Sequence, residues 1–204
     1  AIFGIGSSLA QSYKLDGLSG GILAEIAYML TIMPVNVPAD AEAGIAGWTI
    51  PMAKLGSAGL FVGIIAAFIA VEIYHLFDSR GWKIKMPDAV PPAVARSFEN
   101  LFPTAAVILL FGSITYWFGF DWHGLVGTLV APLVSASDGL GSALLIVFLT
   151  CFFWVFGIHG ASIVGSLARP IWLILLELNT AALAAGEVMP NIAPEPFYQW
   201  FIWI

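Results

Sequence analysis

The sequence predicts an all-α, polytopic transmembrane protein with broken or re-entrant helices. Of its 204 residues, 60% are hydrophobic and 10% charged, whereas soluble domains carry roughly 25% charged residues. The apolar residues come in runs long enough for the roughly 20 helical residues that cross a bilayer. One run is too long for a single crossing and is interrupted by two glycines around a histidine.

Leu18 to Asn36 reads as the first span, with Glu25 as its only charge, and a Pro- and acid-containing connection, Pro38 to Glu42, follows it. Leu55 to Phe77 reads as the second, carrying Glu72 and His75 near its end, with Tyr74 and Phe77 as interfacial aromatics. Asn100 to Phe120 reads as the third. Between the second and third lie Arg80, Lys83, Lys85 and Arg96, and the positive-inside rule puts this stretch in the cytoplasm. Within it, Met86-Pro87-Asp88-Ala89-Val90-Pro91-Pro92 cannot be regular helix, because proline removes donors and drives the preceding residue toward extended backbone. Ala93 to Leu101 restarts as a helix.

Trp122 to Ser137 is apolar but only 16 residues long, about 24 Å as a helix, which fits a buried or re-entrant piece. Gly139 to Ala168 then runs 30 residues without a charge, about 45 Å of helix. Gly157-Ile158-His159-Gly160 is the natural break. Pro170 opens a further apolar segment to Gly186, with Glu177 and Asn179 near its middle. The chain starts at Ala1 and stops inside the apolar run Phe197 to Ile204, and so reads as an internal piece of a longer protein.

His159 is the leading candidate for chemistry, because an imidazole at membrane depth must find hydrogen-bond partners and broken segments mark binding sites in transporters. Gly157 and Gly160 would let the backbone open beside it. Glu177 and Asn179 offer a carboxylate and an amide suited to a polyhydroxylated ligand, and Trp154 offers a face for stacking on a sugar ring. The single cysteine, Cys151, lies in an apolar run with no charge near it and reads as packing. No P-loop, no His-Glu-x-x-His and no hydrolase elbow occurs, so ATP hydrolysis, a local metal site and acyl transfer are not expected. No cofactor is implied. The net charge of −6 with seven Lys+Arg leaves no basic patch for nucleic acid.

Ile84 to Phe98 (IKMPDAVPPAVARSF), Phe156-Gly157-Ile158-His159-Gly160 and Pro170-Ile171-Trp172-Leu173 together resemble the membrane-embedded IIC permeases of the bacterial phosphotransferase system, in the lactose/cellobiose/diacetylchitobiose branch. Leu55 to Val62 and Gln11 to Asp16 are similar too. The resemblance implies a homodimeric, multi-pass permease of the bacterial inner membrane. It would bind a β-linked disaccharide, carry it inward and present it to a phosphorylated IIB partner, with no phosphorylation site of its own. It places a histidine matching His159 in the sugar site, and Glu177 and Asn179 where such permeases have a Glu-Asn segment, here split by Leu178. It also motivates a division into a dimerising part (1–77), a cytoplasmic connector (78–99) and a sugar-binding transport part (100–204). Two other readings of the residues stand beside it: an intramembrane enzyme with His159 and Glu177 as an acid–base pair, and a channel or scaffold subunit.

Overall fold

The computed structural model describes residues 1–38, 47–84, 86–87 and 89–202, and these are mostly helical. The Pro38 to Glu42 connection therefore lies mostly outside the described residues, as do Lys85, Asp88 and the last two residues of the C-terminal apolar run. The chain forms two compact units, Ala1–Leu125 and Val126–Ile204.

The first unit begins with α1 (Ile2–Ser12) and α2 (Gly17–Leu30). They pack closely because their interface is built of small residues: a Cβ on Gly6 would lie 2.4 Å from the Ala24 Cβ and 2.6 Å from the Gly20 carbonyl oxygen. Asp16 caps α2, accepting from the Ser19 amide at 2.9 Å, which satisfies one of the donors that every helix start leaves open. The expected span from Leu18 to Asn36 is cut short: α2 is 14 residues long and ends at Leu30. Pro34 cannot continue a hydrogen-bonded turn, and Val35–Val37 (β1) instead pairs antiparallel with Gly47–Thr49 (β2).

α3 (Ser57–Ser79) and α4 (Pro92–Glu99) follow, the latter with proline at its first position, where the missing N–H is harmless. α5 (Leu101–Gly112) runs on into a π turn at Ser113–Trp117. α3 and the stretch Val94–Trp117 are long and apolar enough to cross a membrane. Ala24, Ala27, Ala66, Ala70, Val107 and Phe111 belong to one buried cluster, so α5 packs on α2 and α3 rather than grouping with the residues after it. At one end of this unit polar groups from distant segments meet. Asn100 donates to the Ser19 hydroxyl, Arg96 lies 3.9 Å from Asp16, and Lys83 pairs with Asp78 at 2.8 Å and lies 3.9 Å from Glu99.

The second unit contains most of α6 (Trp122–Ser137), then α7 (Leu140–Val155), α8 (Gly160–Ala184) and α9 (Glu195–Ile202). α6 and α7 meet at 84° across Asp138 and Gly139, the geometry of a broken span or re-entrant loop. Of the two alternatives for Trp122 to Ser137, burial is the one that fails, since Val126 is its one buried residue. Cys151 is corrected as well: it is exposed, because α7 buries only Thr150 within this chain. Pro170 does not open a helix; it sits inside the continuous α8, at the cost of the intrahelical bond its nitrogen cannot donate.

The chain after α8 folds back and is tied to the α6–α7 corner. Asp138 Oδ1 accepts from the amides of Ile192 at 2.8 Å and Ala193 at 2.7 Å. The Tyr198 hydroxyl donates to the Ser137 carbonyl at 3.0 Å, and its ring stacks on Trp172 with centroids 4.2 Å apart. Arg169 on α8 pairs with the nearly buried Glu195 at 2.9 Å.

Two outcomes follow from these contacts. The Ser19 hydroxyl, and after it the Ser19 amide, hold the Asp16 carboxyl below its ordinary value, so its contribution is present above the usual carboxylate range and fades as pH falls through it. Asp16→Ala is expected to lower the melting point at neutral pH by a cap's worth of stability, about 1 kcal/mol, and the gap to the parent should close as pH falls through the lowered titration of Asp16. Asp138→Ala would leave two amide donors without their acceptor, at about 1–3 kcal/mol each where they stay dry. Hydrogen exchange should accelerate at residues 191–193 and stay unchanged in α1 to α3.

Candidate functional site

The break in the long uncharged run is where the sequence places it, and every residue in it has a defined backbone role. α7 ends at Val155, with Phe156 as its C-cap. The Gly157 amide donates to the Trp154 carbonyl at 3.0 Å and the Ile158 amide to the Phe153 carbonyl at 3.0 Å, the paired bonds of a Schellman motif. That motif needs a left-handed residue after the cap, and Gly157 supplies it with φ of 73°. His159 then caps α8: its Nδ1 accepts from the Ser162 amide at 3.1 Å. One helix thus stops and another starts within four residues, with carbonyls of the first and a donor of the second satisfied locally.

Gly160, the first residue of α8, is buried against α7. A Cβ there would lie 2.1 Å from the Thr150 carbonyl oxygen, so only glycine lets the new helix pass that close. The His159 side chain itself is exposed. The Ser162 hydroxyl lies 2.8 Å from the same Nδ1, and the Trp154 ring covers the imidazole with centroids 4.7 Å apart at 51°. Trp154, Gly157, His159 and Gly160 are therefore one local assembly, and Ser162 is the member that reading the sequence for a sugar site missed. Its signal was present: Ser162 follows His159 by three residues, the spacing of a helix cap and its donor.

Glu177 and Asn179 are not part of that assembly. Glu177 lies on α8 about 26 Å along the axis from Gly160 and is exposed. The intramembrane acid–base pair of His159 and Glu177 fails on this separation. Asn179 is 5% exposed, and its amide is taken up by the returning chain: Oδ1 accepts from the Asn191 amide at 2.9 Å and Nδ2 donates to the Asn191 carbonyl at 2.8 Å. Its chemistry in this structure is that of a clamp. Asp138, Asn191 and Glu195, the other members of the same clamp, carry no periodic signal that would have marked them in the sequence.

The family described as Phosphotransferase system, EIIC matches residues 1–204. The chain belongs to this family. It is 37% identical to the oligo-beta-mannoside-specific EIIC component of Bacillus subtilis over 97% of its length, covering 46% of that protein. It is 38% identical to the lichenan permease IIC component of the same organism, over all of this chain and 46% of the relative. Among solved structures it matches ChbC, the IIC component of the N,N'-diacetylchitobiose-specific phosphotransferase system, with a TM-score of 0.82 and 36% identity, covering 97% of this chain and 48% of that one. This EIIC chain thus spans about half the length of the relatives it matches. It is a membrane protein with several apolar helices.

Because Gly160 is held against a backbone carbonyl while nothing lies within 4 Å of a Cβ on Gly165, the two positions should answer differently to alanine. Gly160→Ala is expected to lose about 1–3 kcal/mol through overpacking, whereas Gly165→Ala should gain up to about 1 kcal/mol of helix propensity. Thermal melts of the purified protein check both.

Proposed function

We propose that this chain is part of a sugar permease of the phosphoenolpyruvate-dependent phosphotransferase system, which binds a β-linked disaccharide, translocates it and presents it to a phosphorylated IIB partner. The observation that carries the site assignment is the break at Phe156–His159, which ends one helix, starts another and leaves a capped, exposed imidazole beside Trp154. The similar proteins named for oligo-beta-mannosides, lichenan and cellobiose support the substrate class. The lactose-specific relatives named EIICB support a IIB partner.

In this reading the imidazole hydrogen-bonds a sugar hydroxyl and the Trp154 face lies alongside. The chain supplies position while the partner supplies the phosphoryl group. Cys151 has no part in the transfer. The protein sits in the bacterial cytoplasmic membrane as a homodimer, with the basic stretch 78–99 on the cytoplasmic side. That stretch joins a dimerising part to a sugar-carrying part. The former is residues 1–77 and the latter residues 100–204, of which α5 packs on α2 and α3.

His159→Ala in the intact protein is expected to abolish disaccharide binding and phosphorylation while the dimer persists. Sugar-protection melts with cellobiose, lactose and diacetylchitobiose check it and assign the disaccharide in the same experiment. Unchanged uptake would overturn the site.

A further inference from the structure

We propose that Ser162 and Trp154 are positioning residues that hold His159 as the Nε2–H tautomer, so that the imidazole meets its ligand as a hydrogen-bond donor to an oxygen. This rests on the reading of His159 as a sugar contact and adds the direction of that hydrogen bond.

A neutral imidazole has one nitrogen that donates and one that accepts, and the partner of the first decides the role of the second. At His159 the decisive partner is a backbone group. The Ser162 amide can only donate, and it shares its hydrogen between the His159 carbonyl and Nδ1, each 3.1 Å away. A proton on Nδ1 would face that N–H head-on, so Nδ1 is the bare acceptor and the ring proton resides on Nε2. The Ser162 hydroxyl, 2.8 Å from the same nitrogen, can rotate to suit either tautomer and therefore follows the amide. The helix start thereby biases the tautomer: the third amide of α8 divides its hydrogen between the His159 carbonyl and the ring, and only a bare Nδ1 can take its share.

Trp154 fixes the plane. It lies in the last turn of α7, its carbonyl is engaged by Gly157, and its ring lies 4.7 Å from the imidazole centroid, which restricts rotation of the ring about its bond to Cβ. With Nδ1 turned to the helix and one side of the ring against Trp154, the edge that carries Nε2 is the polar edge left for a ligand. A group built this way recognises a lone pair. It suits a hydroxyl or ring oxygen and leaves no acceptor on the neutral ring for that hydroxyl's proton.

The test uses the intact protein labelled with ¹⁵N at the histidine ring nitrogens, the His159 signals being assigned by their loss in His159→Gln. The expected spectrum has Nδ1 unprotonated and Nε2 protonated in the parent and in Ser162→Ala, which keeps the backbone donor. Trp154→Ala should average the ring signals and weaken cellobiose binding, and Trp154→Phe should restore both. His159→Asn, whose amide oxygen can take over the cap, should melt like the parent yet bind the sugar about tenfold or more weakly, the loss of one hydrogen bond. A protonated Nδ1, or a mixture of tautomers, overturns the proposal even where His159→Ala abolishes binding. Sugar binding that survives His159→Ala overturns instead the site reading on which the proposal rests.

Discussion

Every helix end leaves backbone carbonyls open and every helix start leaves amides open, and the part of this chain that matters most is built around satisfying both. Stopping a helix exposes carbonyls, and starting another exposes amides. Between Val155 and Gly160 the chain does both in four residues. The Schellman bonds at Gly157 and Ile158 take up carbonyls of α7, and the His159 ring takes up an amide of α8. The imidazole is consequently held by one of the interactions that satisfy the break, with the Trp154 ring beside it.

The rest of the second unit serves the same end. α8 is continuous through Pro170 and is anchored far from His159 by the clamp around Asn179, Asn191 and Asp138. Those contacts tie the chain that follows α8 to the 84° corner between α6 and α7. The stack of Trp172 on Tyr198 fills the space between them with apolar surface. The first unit solves a different problem, close packing of α1, α2, α3 and α5, and it solves it with glycine and alanine at the contacts. Association by small residues is the expected solution where lipid tails are as apolar as leucine and burial alone drives little.

Much of this was legible beforehand. Long apolar runs marked α3, the α4–α5 stretch and the region of α6 to α8. The glycines around His159 marked the break because they flank a polar side chain inside a 30-residue uncharged run. Length alone misled at α2, where the run of apolar residues continues through Thr31 and Pro34 although the helix cannot. Proline misled in the opposite direction at Pro170, since a membrane helix tolerates one missing bond when flanking turns hold it. Polar residues were the least legible. Glu177, Asn179 and His159 look alike in a sequence as polar interruptions, yet one caps a helix, one clamps a returning strand of chain and one lies a helix length away. Telling them apart requires knowing which backbone groups are left open nearby, and that depends on tertiary contacts such as Asn179 with Asn191. Family resemblance reached the IIC family from motifs, and the identity to EIIC relatives over nearly the whole chain agrees with it.

The central claim is that the helix break delivers His159 to the sugar. A structure of the intact protein with a bound disaccharide tests it most directly. The account predicts Nε2 of His159 within hydrogen-bonding distance of a sugar oxygen while Nδ1 stays on the Ser162 amide. A sugar bound elsewhere, with the capped ring facing lipid, would contradict it.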